Sequence, residues 1–397
     1  INLLVGFFVG LSSGASVIIS QFFGARRPDD VSRAVHTTMA LALASGAALT
    51  VLGIWSSRAV LVMMGTPEDV LGHAVTYINI YFLGMIPSLI YNIGSGILRA
   101  VGDTRRPLIY LSFAGVVNVL LNLFFVIYLH LDVAGVAIAT VIAQCISAAL
   151  VLRCLLRESG ALRFTPAKAR IDVKNLMKML RIGIPAGLQG VLFSISNVVI
   201  QAFINSFGAV VMAGSCASDS IEMFVYFSME AFYQAIISFT SQNMGAGRFD
   251  RVNKVLKVGL VCSALVGGLL GLTATIFGHT LLGIYSSSAA VIAAGMERMK
   301  LIASAYAICG LMEGMGGVMR GMGYSVLPTI VTLLGVCGLR LVWISTLLHI
   351  PALHSVATVY ISYPVSWAVT FAAHFACFLW VRKRAFGDFK YGKAGGD

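Results

Sequence analysis

SQFFGARRPDDV at residues 20–31 returns 221 residues later as SQNMGAGRFDRV at 241–252, with Ser20, Gln21, Gly24, Ala25, Arg27, Asp29 and Val31 repeated. The same offset, without a gap, lays GILRAVGDTRRP (96–107) on GVMRGMGYSVLP (317–328) and matches Gly96, Arg99, Gly102 and Pro107. Two blocks in one register identify a duplicated chain. Composition says what is duplicated. The 397 residues are 58% hydrophobic and 11% charged, with a mean hydropathy of +0.89, whereas an ordinary soluble domain is about 25% charged. That balance excludes a soluble enzyme. It points to an all-α polytopic membrane protein, because about 20 apolar helical residues cross a bilayer core; a barrel would need short alternating strands.

Apolar runs bounded by Gly, Pro and charge place eleven spans at 1–23, 34–56, 74–98, 107–128, 133–156, 181–206, 209–241, 252–279, 290–319, 325–348 and 354–381. Six complete spans separate the two SQ motifs. An even number means that both halves enter the membrane in the same sense, as two parallel-repeat six-helix bundles. The expected organisation is an N-terminal bundle over 1–157, a linker over 158–178, a C-terminal bundle over 179–384 and a tail over 385–397. One span precedes the first SQ motif and two precede its copy, and the sequence begins with Ile1. The expectation is therefore a twelve-span protein from which the first helix, roughly 40 residues, is missing.

Alternate loops hold 24 Lys and Arg against 3 in the opposite set, which comprises Arg58, Arg298 and Lys300. The cytoplasmic side keeps the basic excess, so the linker and tail are expected in the cytoplasm of a cell whose inner (plasma) membrane holds the protein. The net charge of +12 reports this bias and not a nucleic-acid partner. Seven cysteines form no CxxC pair and read as packing residues, with no metal site expected.

GLSSGASVIISQFFGA (10–25), LRAVGDTRRP (98–107) and SQNMGAGRFDR (241–251), in this order and spacing, resemble the multidrug and toxic compound extrusion (MATE) family over nearly the whole chain. The resemblance implies a V-shaped pair of bundles around a central cavity, exporting bulky, often cationic compounds in exchange for H⁺ or Na⁺. Small organic cations and the lipid bilayer are then the partners. No cofactor is expected, and the chain is expected to act as a monomer.

Asp219, Glu222, Glu230 and Glu313 are acids that fall inside the spans. A charge there costs about 2.5–3.5 kcal/mol on insertion scales, so each needs a reason. At 100° per residue, Ser215, Asp219, Glu222, Tyr226, Glu230 and Tyr233 lie within an arc of about 80° on one helix, a face turned away from lipid. Two readings stand: the stripe lines a wet cavity that takes substrate or coupling ion, or its carboxylates lock helices together. Asn92 holds the repeat position of Glu313, giving both halves a polar group at that depth. Arg99 and Arg320 sit at span ends, where snorkelling explains them. Arg340 lies 12 residues beyond Pro328, about 18 Å along a helix and near mid-membrane. Glu222 reaches a similar depth and is its expected partner.

Asn118 and Asn122, spaced i and i+4, share a helix face and offer amide oxygens to a cation or substrate. Relatives of MATE type place Asn then Asp at this spacing and use the Asp as a proton site, so Asn122 departs from that pattern. The Glu that Na⁺-coupled relatives carry in the seventh helix aligns with Phe193, flanked by Gln189 and Asn197.

Two other functions compete with the exporter. A flippase for lipid-linked sugars or metabolites of the same superfamily favours an Arg-rich cavity, against the one Arg, Arg340, read near mid-membrane. The string Gly10-Leu-Ser12-Ser-Gly14, with His374 elsewhere, matches a serine hydrolase elbow. That elbow needs a strand-to-helix turn, whereas Gly6, Gly10 and Gly14 repeat at the small-xxx-small spacing of close helix packing. The topology has a direct check. A cysteine placed at Ser159 should resist a membrane-impermeant thiol reagent added outside intact cells, and ready external labelling would reverse the orientation.

Overall fold

The structure, a computed structural model, describes residues 2–63 and 65–390, with side chains over 6–63 and 65–387. Helices follow one another in the order α1 (Asn2–Gly24), α2 (Pro28–Met63), α3 (Glu68–Leu83), α4 (Met85–Ala100), α5 (Arg105–Leu123), α6 (Asp132–Arg157) and α7 (Val173–Asn205). The series continues with α8 (Ala209–Gly245), α9 (Phe249–Ile276), α10 (Gly278–Tyr285), α11 (Ala289–Leu301), α12 (Tyr306–Gly321), α13 (Val326–Thr332), α14 (Leu339–Leu347) and α15 (Val356–Lys390). Of the expected tail, residues 385–390 continue α15 and the remainder lies outside the described residues.

Nine described helices are long and apolar enough to cross a membrane, and ten if α3 and α4 form one bent span. The eleventh long helix is α8, whose 37 residues carry the acid stripe and which is not among those nine. The 45° bend between α3 and α4 has a covalent cause: Pro87 lacks the N–H that would bond the Leu83 carbonyl. Short π-helical turns at Phe124–Tyr128 and Leu333–Gly338 interrupt the spans that begin at α5 and α13.

The chain divides into two compact units, one of residues 12–180 and one of residues 1–11 with 181–397. In the first, α4 packs on α2 and α6, α5 on α6, and α3 on α2 and α6. The 158–178 segment is fastened to this unit. The Thr165 N–H donates to His36 Nε2 at 3.1 Å, and the Asp172 N–H to Thr37 Oγ1 at 3.0 Å. In the second unit α8 packs on α9, α11 and α12, and α12 on α9 and α15. Its core gathers Met229, Tyr306, Met312, Tyr360 and Trp367 among these helices.

The duplication is visible at the level of single bonds. At the end of α4 the Gly102 N–H reaches the Arg99 carbonyl at 3.0 Å and the Asp103 N–H reaches Leu98 at 3.0 Å. At the end of α12 Gly323 reaches Arg320 at 2.8 Å and Tyr324 reaches Met319 at 3.0 Å. These are Schellman caps, which put the residue after the helix into the left-handed region. Gly102 and Gly323 adopt φ of 95° and 94°. After α1 and α8 the same bonds form around Arg26 (φ 55°) and Gly247 (φ 67°), so one copy carries a side chain where the other uses glycine.

Helix approach repeats too. Ser12, Ser16 and Ser20 of α1 donate in turn to the carbonyls of Asn92, Gly96 and Ala100 of α4, at 3.2, 3.2 and 2.9 Å. A Cβ on Gly96 would come within 2.8 Å of Ser12 Oγ, and at the repeat positions a Cβ on Gly317 would come within 3.0 Å of the Tyr233 ring. Small residues thus let the helices touch where dispersion and hydrogen bonds are the main adhesive forces available.

The caps predict opposite effects for two exposed substitutions. Gly102→Ala, in open space, should lower stability by about 1–2 kcal/mol through backbone strain alone, whereas Arg26→Gly should hold or raise it. Thermal unfolding of the purified variants in one detergent checks the pair. A drop with both would remove the left-handed cap as the cause.

Candidate functional site

The polar face of α8 divides into two halves. Toward its start, Ser215, Asp219 and Glu222 converge on Arg298, which enters from α11. The Arg298 guanidinium donates Nε to Glu222 Oε1 at 3.1 Å, Nη2 to Glu222 Oε2 at 3.1 Å, Nη2 to Asp219 Oδ1 at 2.6 Å and Nη1 to the Ser215 hydroxyl at 2.9 Å. Ser218 adds a second hydroxyl to the cluster, donating to Glu222 Oε1 at 2.9 Å. The Arg298 and Glu222 side chains are 4% and 2% exposed, but that of Asp219 is 57% exposed. A two-pronged guanidinium–carboxylate contact is the strongest neutralisation available to a buried acid.

This geometry corrects the partner expected for Arg340. Both Glu222 oxygens are occupied by Arg298, which lies nine residues beyond Ala289, about 14 Å into its span and not among the outer loop charges. Arg340 instead donates Nε to Ser366 at 2.8 Å and lies 3.9 Å over the Tyr363 ring, with Trp367 at 5.6 Å. One of its terminal nitrogens, Nη2, is buried without a partner. Tyr363 also lies 5.9 Å from Arg298, so this one ring serves both cations.

Further along α8, Tyr226, Glu230 and Tyr233 meet Glu313 and Arg320 of α12. Arg320 is 7% exposed and does not snorkel, a second correction. It donates to the Tyr233 hydroxyl, to Gln189 Oε1 of α7 at 2.5 Å and to Thr329 at 3.2 Å. The reason is geometric: α12 runs against α8 where Gly317 faces Tyr233, so the side chain one turn later points inward. Gln234 donates to Glu230 at 2.7 Å. Glu313 makes no hydrogen bond among the described residues; Arg320 is the charge that acts on it. Both Glu230 and Glu313 act electrostatically on Tyr226 and Tyr233, and Tyr226 is 36% exposed.

The remaining sequence candidates separate. Asn197 is exposed on α7, away from the Arg320 contact made by Gln189, while Phe193 packs on the core. Asn92, Asn118 and Asn122 belong to the other unit. The Asn92 amide donates to Ser88 O at 2.8 Å, and Asn122 donates to Asn118 at 3.1 Å, leaving Asn118 Nδ2 and Asn122 Oδ1 buried without partners. Sequence reasoning missed Arg298 as the hub. Its position inside an apolar run, at neither end, was the available signal.

No serine hydrolase forms. Ser12 donates to a helix carbonyl, and His374, 1% exposed, contacts Thr332, Pro328 and Met312 through its ring nitrogens. The MatE family model matches residues 1–124 and 185–346. The chain belongs to the MatE family. It is accordingly a multi-pass membrane transporter and not an enzyme.

Relatives of this MatE protein include the "Probable multidrug resistance protein YoeA" of Bacillus subtilis, 27% identical over 96% of this chain and 84% of that one. A Shewanella oneidensis protein named "FAD transporter" is 24% identical over 72% of this chain and 64% of its own length. Among solved structures, an outward-facing multidrug resistance MATE family transporter of the MOP superfamily superposes with a TM-score of 0.90 at 18% identity, covering 98% of this chain and 86% of that chain. A Pyrococcus furiosus MOP superfamily transporter, described as having a binding pocket of reverse polarity, superposes with a TM-score of 0.89 at 17% identity over 98% and 86%. At such identities these likenesses establish the fold.

The charge hub is testable by double-mutant analysis. Arg298→Gln, which leaves Glu222 buried and unpaired, should cost about 3–5 kcal/mol, and adding Glu222→Gln should recover part of it. Glu222→Gln and Arg340→Gln should add within about 0.5 kcal/mol. Thermal unfolding of the singles and doubles measures both couplings; coupling at 222/340 with none at 222/298 would reverse the assignment.

Proposed function

We propose that this MatE protein is a secondary active multidrug exporter that moves amphipathic organic cations out of the cytoplasm in exchange for H⁺ or Na⁺. In this reading the two bundles, over 1–157 and 179–384, alternate access across the inner (plasma) membrane, joined by the cytoplasmic linker 158–178. The observation that carries it is the far half of the α8 stripe. There the half-exposed Tyr226 lies under the electrostatic influence of Glu230 and Glu313. Carboxylates attract a cation and ring faces hold it, a contact worth roughly 0.5–2 kcal/mol.

The same half supplies the coupling site. Asp219 and Glu222 are already ion-paired with Arg298, whereas Glu313 has no hydrogen-bonding partner among the described residues and can exchange H⁺ or Na⁺ with least rearrangement. Asn118 and Asn122 of the other unit would contribute only neutral amide groups. The relatives named for multidrug resistance support the substrate class.

A second reading has its own support. Three arginines, Arg298, Arg320 and Arg340, are buried in one unit, where the sequence led us to expect one, and one relative carries the name FAD transporter. Such a set would favour an anionic metabolite or lipid-linked sugar, moved by a flippase-like cycle.

Expression in a drug-sensitive bacterium separates the two. Tolerance to several dyes and quaternary ammonium compounds should rise and their accumulation fall, and Glu313→Gln should abolish the response of efflux in proteoliposomes to an imposed H⁺ or Na⁺ gradient. Unchanged accumulation of every cation, with transport of an anionic metabolite, would favour the second reading.

A further inference from the structure

Where the first turn of α5 meets the last turns of α6, the unit of residues 12–180 holds a groove of about 420 Å³ lined by Arg106, Tyr110, Arg153, Cys154, Arg157 and Glu158 among others. Its floor is internally compensated. Arg106 bonds both Asp103 and Glu158 and lies 3.1 Å from Cys154 Sγ. Its rim is not. Arg153 and Arg157 are exposed, four residues apart on one face of α6, and neither makes a hydrogen bond or ion pair among the described residues. A helix C-terminus and a cytoplasmic membrane edge both favour cations, which accounts for basic residues at this level. It does not account for two unpaired guanidinium groups standing over a groove.

The wall beside the groove completes the chemistry. On α5, Leu108, Ile109, Leu111 and Phe113 are 51–63% exposed, and only 6% of the apolar window of this span is buried. An apolar wall running down from an arginine-rimmed groove, with the phenol of Tyr110 between them, matches a molecule with an anionic head and hydrocarbon tails. Arginine forks suit phosphate oxygens, and basic pockets between membrane helices on this side take anionic headgroups.

We propose that the α5–α6 groove binds the phosphate of an anionic phospholipid, held by Arg153 and Arg157, with the acyl chains along α5. The site lies within one unit and is independent of which compound is transported.

The test titrates the purified protein with phosphatidylglycerol or phosphatidylcholine of identical chains, read by native mass spectrometry and by the shift in thermal midpoint. Phosphatidylglycerol should bind preferentially and raise the midpoint. The Arg153→Gln/Arg157→Gln double variant should weaken that binding about thirtyfold, as removal of two interfacial arginines implies. Lys254→Gln/Lys257→Gln, which removes two exposed charges from α9, should not weaken it. Because the groove arginines are exposed and unpaired, the double variant should keep the midpoint of the parent in phosphatidylcholine, which separates loss of the site from loss of the fold. Equal weakening by both double variants, or no preference for phosphatidylglycerol, overturns the proposal. Inorganic phosphate is the third probe: saturation of the site by millimolar phosphate without any preference for phosphatidylglycerol would overturn the lipid assignment in favour of a free phosphate.

Discussion

A guanidinium buried within an apolar helix bundle needs partners for its charge and its N–H groups, and Arg298 finds them in Glu222 and Asp219 together. Much of the second unit is arranged around that constraint. It fixes the rotation of α8 about its axis, because the face bearing Ser215, Asp219 and Glu222 must look toward α11 and cannot look toward lipid. With that face set, the helical period carries Tyr226, Glu230 and Tyr233 inward as well, toward α12. The acid stripe of α8 is then a consequence of its position and not an obstacle to it.

Close approach is the second constraint, and it is met with small residues. The serine ladder from α1 to the carbonyls of α4 and the Gly317–Tyr233 contact between α8 and α12 occupy equivalent places in the duplicated halves. The chemistry at those places has diverged. One copy gives a run of hydroxyls and a neutral Asn92; the other gives Tyr233 and Glu313, while Arg99 and Arg320 are common to both. Duplication therefore kept the way helices meet while the buried charged groups became concentrated in one unit. This asymmetry is why ion coupling is proposed at Glu313 and not at the asparagine pair.

Inside that unit the cations are held differently. Arg298 is paired with carboxylates, Arg320 is hydrogen-bonded to the neutral oxygens of Tyr233, Gln189 and Thr329, and Arg340 rests on a serine and an aromatic face. The aromatic face is the weakest of the three answers to a buried charge. Tyr363, shared by two of these arginines, links their environments.

What could be read from the sequence alone was what depends on local pattern. The offset of 221 residues reported the duplication, apolar run length reported the membrane, and a 100° period placed the acids and tyrosines of α8 on one face. The glycines in the quoted motifs marked helix ends, because a left-handed cap is a property of a few consecutive residues. Pairing was different. Depth along a helix can be counted from its end, but two groups at equal depth meet only if their helices are neighbours and both are turned the right way. Arg340 satisfied the depth criterion for Glu222 and failed the other two, while Arg298, which the charge count had placed with the outer loops, satisfied all three. Which arginine answers which acid was decided by packing, since azimuth and adjacency are properties of the assembled bundle and of no single segment.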